Sequence, residues 1–174
     1  APDPPPSPTA VASEITYRMG FFDLETQRLA SEVGGWQNKH LMCVSVAVPY
    51  DSSMDAFQVY REDEIPKLIE DLQQLDIVVG FNIKQFDYKV LGAYTPFDLQ
   101  QLPTIDLLEL IHKQLKFRLS LDHLAHQNLG RQKAADGIQA VDWYREGQWE
   151  PLIHYCKEDV ILTRDLFNLT MEKG

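Results

Sequence analysis

The spacing of hydrophobic and polar positions changes character several times along the chain. Residues 15–23 form a strand-like run, residues 41–48 are apolar apart from Ser45, and residues 56–60 are short and mixed. The stretch 49–55 is rich in turn residues, which predicts a hairpin between the last two. Within 62–75, Ile65, Leu68, Ile69 and Leu72 recur at the spacing of one buried helix face. Residues 77–79 are Ile-Val-Val and end at Gly80, the pattern of a strand covered on both sides.

A second helix is expected around Phe86, Val90 and Leu91. A fifth strand is expected at 104–107, running into a helix through His112. Ser120 suits the N-cap of a helix over 121–129 that Gly130 closes. Asp136-Gly137 reads as a turn, and Pro151 suits the first turn of a last helix reaching about residue 171. Antiparallel strands followed by alternating strands and helices predict an α/β fold, a mixed sheet with helices packed on it.

The 174 residues, 44% hydrophobic and 24% charged, fit one soluble globular domain over 15–174. Residues 1–14, with five prolines by position 8, read as a disordered linker or tail. They lack the apolar core of a signal peptide. The chain starts without methionine, as a module cut from a longer polypeptide would. No apolar run is long enough to span a bilayer, so no membrane partner is expected. Cys43 and Cys156 make no disulfide framework or zinc spacing. Buried thiols in a reducing compartment, hence a cytoplasmic protein, are expected.

The net charge is −10, and it stays acidic even with the suspect carboxylates set aside. Such a chain has little sequence-independent grip on nucleic acid. The bases are unevenly placed, however. Lys113, Lys116, Arg118, Arg131 and Lys133 stand with three histidines against the single acid Asp122. That tract reads either as a solvated helix face or as a track for a phosphate backbone.

Candidate chemistry sits in three clusters: 22–26 (Phe-Asp-Leu-Glu-Thr), 80–87 (Gly-Phe-Asn through Phe-Asp) and 155–159 (Tyr-Cys-Lys-Glu-Asp). Asp23 and Glu25 end a strand-like run two positions apart, so both carboxylates share a face and Leu24 points elsewhere. A solvated turn or a metal-binding pair would look alike at this level. Asp87 would share a helix side with Val90 and Leu91, facing inward. The alternative is a helix-start aspartate that gains from the macrodipole. Asn82, just past a buried strand, would hold a loop or a substrate hydroxyl.

Asp159 lies in the stripe Tyr155, Asp159, Leu162, Leu166, Leu169, and a carboxylate among apolar neighbours needs a compensating partner. Tyr155 stands one turn before it, about 40° around the helix, whereas His154 is about 140° away. Tyr155 is therefore favoured over His154 as the residue that handles water, provided the helix has begun by 154. Asp106 suits a strand end or helix cap. Trp36, Trp143 and Trp149 could stack on bases, but packing in the core or at a rim is the favoured reading for each.

Taken together, Phe22-Asp23-Leu24-Glu25-Thr26, Asn82 through Asp87, and Tyr155-x-x-x-Asp159 resemble the three exonuclease motifs of the DEDD superfamily, in its tyrosine-bearing DEDDy branch. The run Tyr155-Cys156-Lys157-Glu158-Asp159-Val160 resembles that of proofreading domains of B-family DNA polymerases and of related stand-alone or helicase-associated bacterial exonucleases. The resemblance spans about residues 15–171. It implies a ribonuclease H-like fold, with a five-stranded mixed sheet whose first three strands are antiparallel, flanked by helices.

The implied activity is 3′–5′ exonuclease on DNA or RNA, releasing nucleoside monophosphates. By the same implication, Asp23, Glu25 and Asp159 hold one Mg²⁺ or Mn²⁺, and Asp23 bridges to a second ion supported by Asp87. Tyr155 orients the attacking water, since tyrosine, with a pKa near 10, is a poor base at neutral pH. Leu24 and Thr26 contact the terminal nucleotide, and Asn82 lines the pocket. The expected partner is nucleic acid with a free, single-stranded 3′ end, helped by a fused or bound helicase or polymerase. A catalytically silent binding module and an endonuclease of the same fold are the competing readings.

Overall fold

The computed structural model of the chain describes residues 17–115, 121 and 136–173. The expected tail over 1–14, nearly all of the expected helix over 121–129 and the basic tract beyond Lys113 lie outside the described residues.

Each of the first three expected strands is a pair of short strands, and the second halves of the first two lie beyond the expected bounds of 15–23 and 41–48. The first is β1 (Met19–Phe21) and β2 (Leu24–Thr26); the second is β3 (Val44–Ala47) and β4 (Tyr50–Asp51); the third is β5 (Ala56–Phe57) and β6 (Tyr60–Arg61). Strands β7 (Ile77–Gly80) and β8 (Thr104–Asp106) follow unbroken. A five-stranded mixed sheet has the order β5-β4-β1-β7-β8, and the remaining halves form a three-stranded sheet, β2-β3-β6. The meander β1, β4, β5 is antiparallel; β7 runs parallel to β1 and β8 parallel to β7. Tyr50 opposite Phe57 and Asp51 opposite Ala56 form the hairpin expected around 49–55.

The break in the first strand falls at Phe22–Asp23. The Phe22 amide still donates to the Val79 carbonyl at 2.9 Å, while the Asp23 carbonyl accepts from the Val48 amide at 3.3 Å. In the second strand the break coincides with Pro49, which has no amide to donate. Alternation sends Phe21 to one face of the sheet and Phe22 to the other. Phe22 and Leu24 pack with Ile65, Leu68 and Leu72 of α1 (Ile65–Gln73), so the four apolar positions read in the sequence are all buried. Phe21 packs with Val160, Leu162 and Leu166 on the other face.

The parallel strands β1, β7 and β8 all end at one edge, with Phe21 level with Val79 and Gly80 level with Asp106. In sheets of this kind the carboxyl ends of parallel strands are where loops diverge and leave room for a ligand. Helices α2 (Asp87–Leu91) and α3 (Leu107–Leu115) follow β7 and β8 there, and α4 (Gly137–Arg145) and α5 (Trp149–Lys173) come later in the chain. Among the described residues no helix is long and apolar enough to cross a membrane.

Three local expectations need correction. Residues 41–43 are not strand: 3-10 turns occupy Ala30–Val33 and Trp36–Leu41, and Cys43, at φ +60°, is half-buried rather than buried. Asp136-Gly137 opens a helix instead of a turn, its Oδ1 accepting the Gln139 amide at 2.9 Å as an N-cap does. Tyr50 and Asp51, expected in the turn, are strand β4, and the turn narrows to 52–55.

Gly80 is a packing requirement. A Cβ built there would lie 2.3 Å from Cγ2 of Ile83, a fully buried side chain. Gly80→Ala is therefore expected to destabilise the protein by about 1–3 kcal/mol through overpacking, measured as a lowered midpoint in urea. An unchanged midpoint would show that the β7–α2 junction has slack.

Candidate active site

Asp23 occupies the break between β1 and β2, and Glu25 is the middle residue of β2. Leu24 and Thr26, on either side, point into the protein and are buried. Pairing of β2 with β3 shifts register between Glu25 and Thr26, the mark of a bulge. Bulges locally twist a strand and re-aim its side chains, and they recur beside functional sites. Oxygens of Asp23 and Glu25 and the Cys156 sulfur all lie within 4.8 Å of one another.

Helix α5 brings the third component. Of its stripe Tyr155, Asp159, Leu162, Leu166 and Leu169, the first four are buried and Leu169 is half-buried, with Tyr155 5% and Asp159 6% exposed. Tyr155 packs edge-on against Trp143 of α4 at 6.1 Å between ring centroids. The helix has begun by Trp149, so His154 is well inside it and turned outward. Its side chain is 70% exposed and its Nε2 lies 3.6 Å from Glu158 Oε1.

Asp23, Glu25, Tyr155 and Asp159 line one cleft of about 520 Å³, with Leu24, Thr26, Trp36 and Phe86. Asp87 lies beneath this lining, 1% exposed, its Oδ2 accepting the backbone N–H of Leu24 at 3.0 Å. It is both of the things its position allowed, the first residue of α2 and an inward-facing carboxylate. Asn82, at φ +61°, lines a neighbouring recess of about 220 Å³ with Asp106 and His112. Asp106 is a cap, accepting from the amides of Asn82 (2.9 Å), Lys84 (3.1 Å) and Leu108 (3.1 Å).

The electrostatics of this edge are strongly negative. Burial pushes the Asp87 carboxyl well above the usual carboxylate range, with Asp106 and Asp159 adding to the rise and the Leu24 amide opposing it. Burial also raises the Cys156 thiol, and Asp23, Glu25, Asp159 and Asp87 push it further. That thiol donates to the Asp23 carbonyl at 3.4 Å. The sequence places Cys156 inside but gives no sign of this contact, since the two residues are 133 positions apart.

A second cavity, of about 480 Å³, lies against α1 and is lined by Arg18, Asp51, Lys67 and Asp71 among others. Its aspartates are matched by bases, Arg18 to Asp51 at 2.7 Å and Lys67 to Asp71 at 2.9 Å. The acidic cleft differs in donor chemistry: oxygens of Asp23 and Glu25 meet there with the Cys156 sulfur, and Asp159 lines the same wall, an acidic set suited to a divalent cation. The residues present fit such an ion.

Residues 20–171 match a family model described as the RNase_H superfamily. No curated protein matches the chain. Among solved structures it is similar to the family B DNA polymerase from the hyperthermophilic archaeon Pyrobaculum calidifontis. The TM-score is 0.65 and the identity 16%, over 87% of this chain and 24% of the polymerase. The chain thus spans about a quarter of that polymerase, and the likeness is one of fold. The five-stranded mixed sheet flanked by helices is the ribonuclease H-like architecture expected from the sequence.

Proposed function

From a chain that belongs to the RNase H superfamily, we propose a metal-dependent 3′–5′ exonuclease of the DEDDy type, acting on DNA or RNA. The observation that carries this reading is convergence. Asp23, Glu25, Tyr155 and Asp159, from two ends of the chain, line a single cleft at the carboxyl edge of the sheet.

Asp23, Glu25 and Asp159 would hold one Mg²⁺ or Mn²⁺, and Asp23 would share a second ion with support from Asp87. When bound, such ions supply Lewis acidity toward the scissile phosphate and lower the pKa of an attacking water. The chain's own residues do the positioning. Asp87 fixes the backbone of Leu24, and with it the direction of Asp23 and Glu25. Tyr155, braced by Trp143, directs its hydroxyl toward the water rather than taking its proton, because a phenol is a weak base at neutral pH. Leu24 and Thr26 border the terminal nucleotide, while Asn82 and Asp106 hold the loop that leads into α2. A fused or bound helicase or polymerase would supply part of the grip on substrate, as the acidic composition suggests.

The test is hydrolysis of end-labelled single strands with Mg²⁺ or Mn²⁺. Release of mononucleotides from a linear strand, with a circular strand left intact, is the expected result. Cutting of the circle would replace the reading with an endonuclease, and inertness toward both would favour a silent binding module. Within this reading, Tyr155→Phe should slow turnover on the order of 100-fold by releasing the water from its geometry. His154→Ala should leave the rate within about twofold, as suits a solvent-facing side chain. The opposite ranking would transfer the water-handling role to His154.

A further inference from the structure

We propose that Trp36 is a stacking platform for a nucleobase of the strand that enters the acidic cleft, an inference that rests on the nuclease reading. The three tryptophans have separated in role. Trp143 braces Tyr155, and Trp149 lies against Tyr144 at 5.8 Å with the Arg61 guanidinium 4.0 Å over its ring. Trp36 is 64% exposed and lines the same cleft as Asp23, Glu25 and Asp159. Leaving an indole in water forgoes the large apolar burial that aromatic side chains normally contribute. An exposed aromatic beside a cleft is the form that nucleic-acid stacking sites take.

The ring is also held in place. Gly34 and Gly35, at φ +88° and +119°, make the left-handed turn that leads directly into Trp36, a conformation few side-chain-bearing residues adopt. Asn38 Nδ2 donates to the Val33 carbonyl at 2.9 Å, and Lys39 Nζ donates to the Gln85 carbonyl at 2.5 Å. Glu32 accepts two bonds from Arg145 of α4, at 2.6 and 2.7 Å, and one from the Leu29 amide at 2.9 Å. Phe86 meets the indole edge-on at 6.2 Å and 66°. A platform fixed before binding loses little freedom when a base lands on it.

The chemistry of the cleft divides accordingly. Carboxylates and their cations suit a phosphate, and the cleft volume of about 520 Å³ leaves space for a nucleoside beside them. The base, whose faces are apolar and π-rich, finds its complement in Trp36 and Phe86. A chain of net charge −10 gains little affinity from releasing counterions, so uncharged stacking must contribute a larger share.

The test is fluorescence anisotropy with a phosphorothioate-linked oligothymidylate and Mg²⁺, using the full chain. A second strand lacks bases on its last three 3′ nucleotides. Trp36→Ala should raise the Kd for the intact strand on the order of tenfold and Trp36→Phe by no more than about threefold, with unchanged thermal melting. The abasic strand should bind wild type and Trp36→Ala equally weakly. Wild-type affinity for the intact strand in Trp36→Ala, an equal loss on the abasic strand, or no binding by wild type would each overturn the platform. Cleavage of a phosphodiester strand of the same sequence is scored separately. Base-dependent binding with no cleavage would keep the platform and discard the nuclease.

Discussion

Asp23→Ala is expected to reduce cleavage by more than about 1,000-fold while leaving the protein folded. Loss of a residue that merely supports a metal ligand lowers activity roughly 10–100-fold, so loss of a carboxylate central to the ligand set should exceed that range. Asp23 is central: it is half-buried at the mouth of the cleft, within 4.8 Å of both Glu25 and Cys156. Its backbone carries a structural duty of its own, because the carbonyl accepts from Val48 and from the Cys156 thiol. Alanine keeps that carbonyl and removes the carboxylate together with its contact to the Cys156 thiol, 3.9 Å from Oδ2. The metal-free variant should still melt cooperatively, as a folded protein does. Full activity in a folded Asp23→Ala protein would end the metal-carboxylate reading.

Asp87 should behave differently, because stability and activity are joined there. Asp87→Ala strands the buried N–H of Leu24 and is expected to cost about 1–3 kcal/mol in a denaturant titration. Asp87→Asn keeps an acceptor for that N–H but cannot ionise. It should cleave about 10–100-fold more slowly than wild type, as a lost support to a ligand set does. The pH dependence follows from burial, which raises the folded carboxyl well above its ordinary value.

An unfolded aspartate gives up its proton at about pH 4. Above that pH the native protein holds more proton than the unfolded chain, so stability falls as pH rises through the folded value. Without metal, Asp87→Asn should therefore gain on wild type from about pH 4 toward pH 8, in melts run across that range. Wild type gaining on the variant over the same range would mean that Asp87 is stabilised in its charged form.

The main lines of the fold were legible because period and burial are local properties. Ile65, Leu68, Ile69 and Leu72 announce their helix, and Ile77-Val78-Val79 its covered strand, whatever the rest of the chain does. The acids were legible for a related reason: Asp159 within an apolar stripe and Asp87 beside Val90 and Leu91 are anomalies that demand compensation. Segments whose structure depends on distant partners were not. Residues 30–41 have no period and are held by Arg145, Gln85 and Phe86, so neither their 3-10 turns nor the direction of Trp36 could be foreseen. Helix Gly137–Arg145 buries only Ala140 and Val141, too narrow a face to outweigh the turn signal of Asp-Gly. Cys43 was read from its apolar neighbours, but its left-handed backbone follows from the loop before it.

The five-stranded sheet is bounded by β5, two residues long, and β8, three residues long. Exposed strand margins are templates on which other chains can propagate a ladder, and brevity is one way proteins blunt them. Margins this short present few unsatisfied amides, so amyloid-like growth from either side of the sheet has little on which to start.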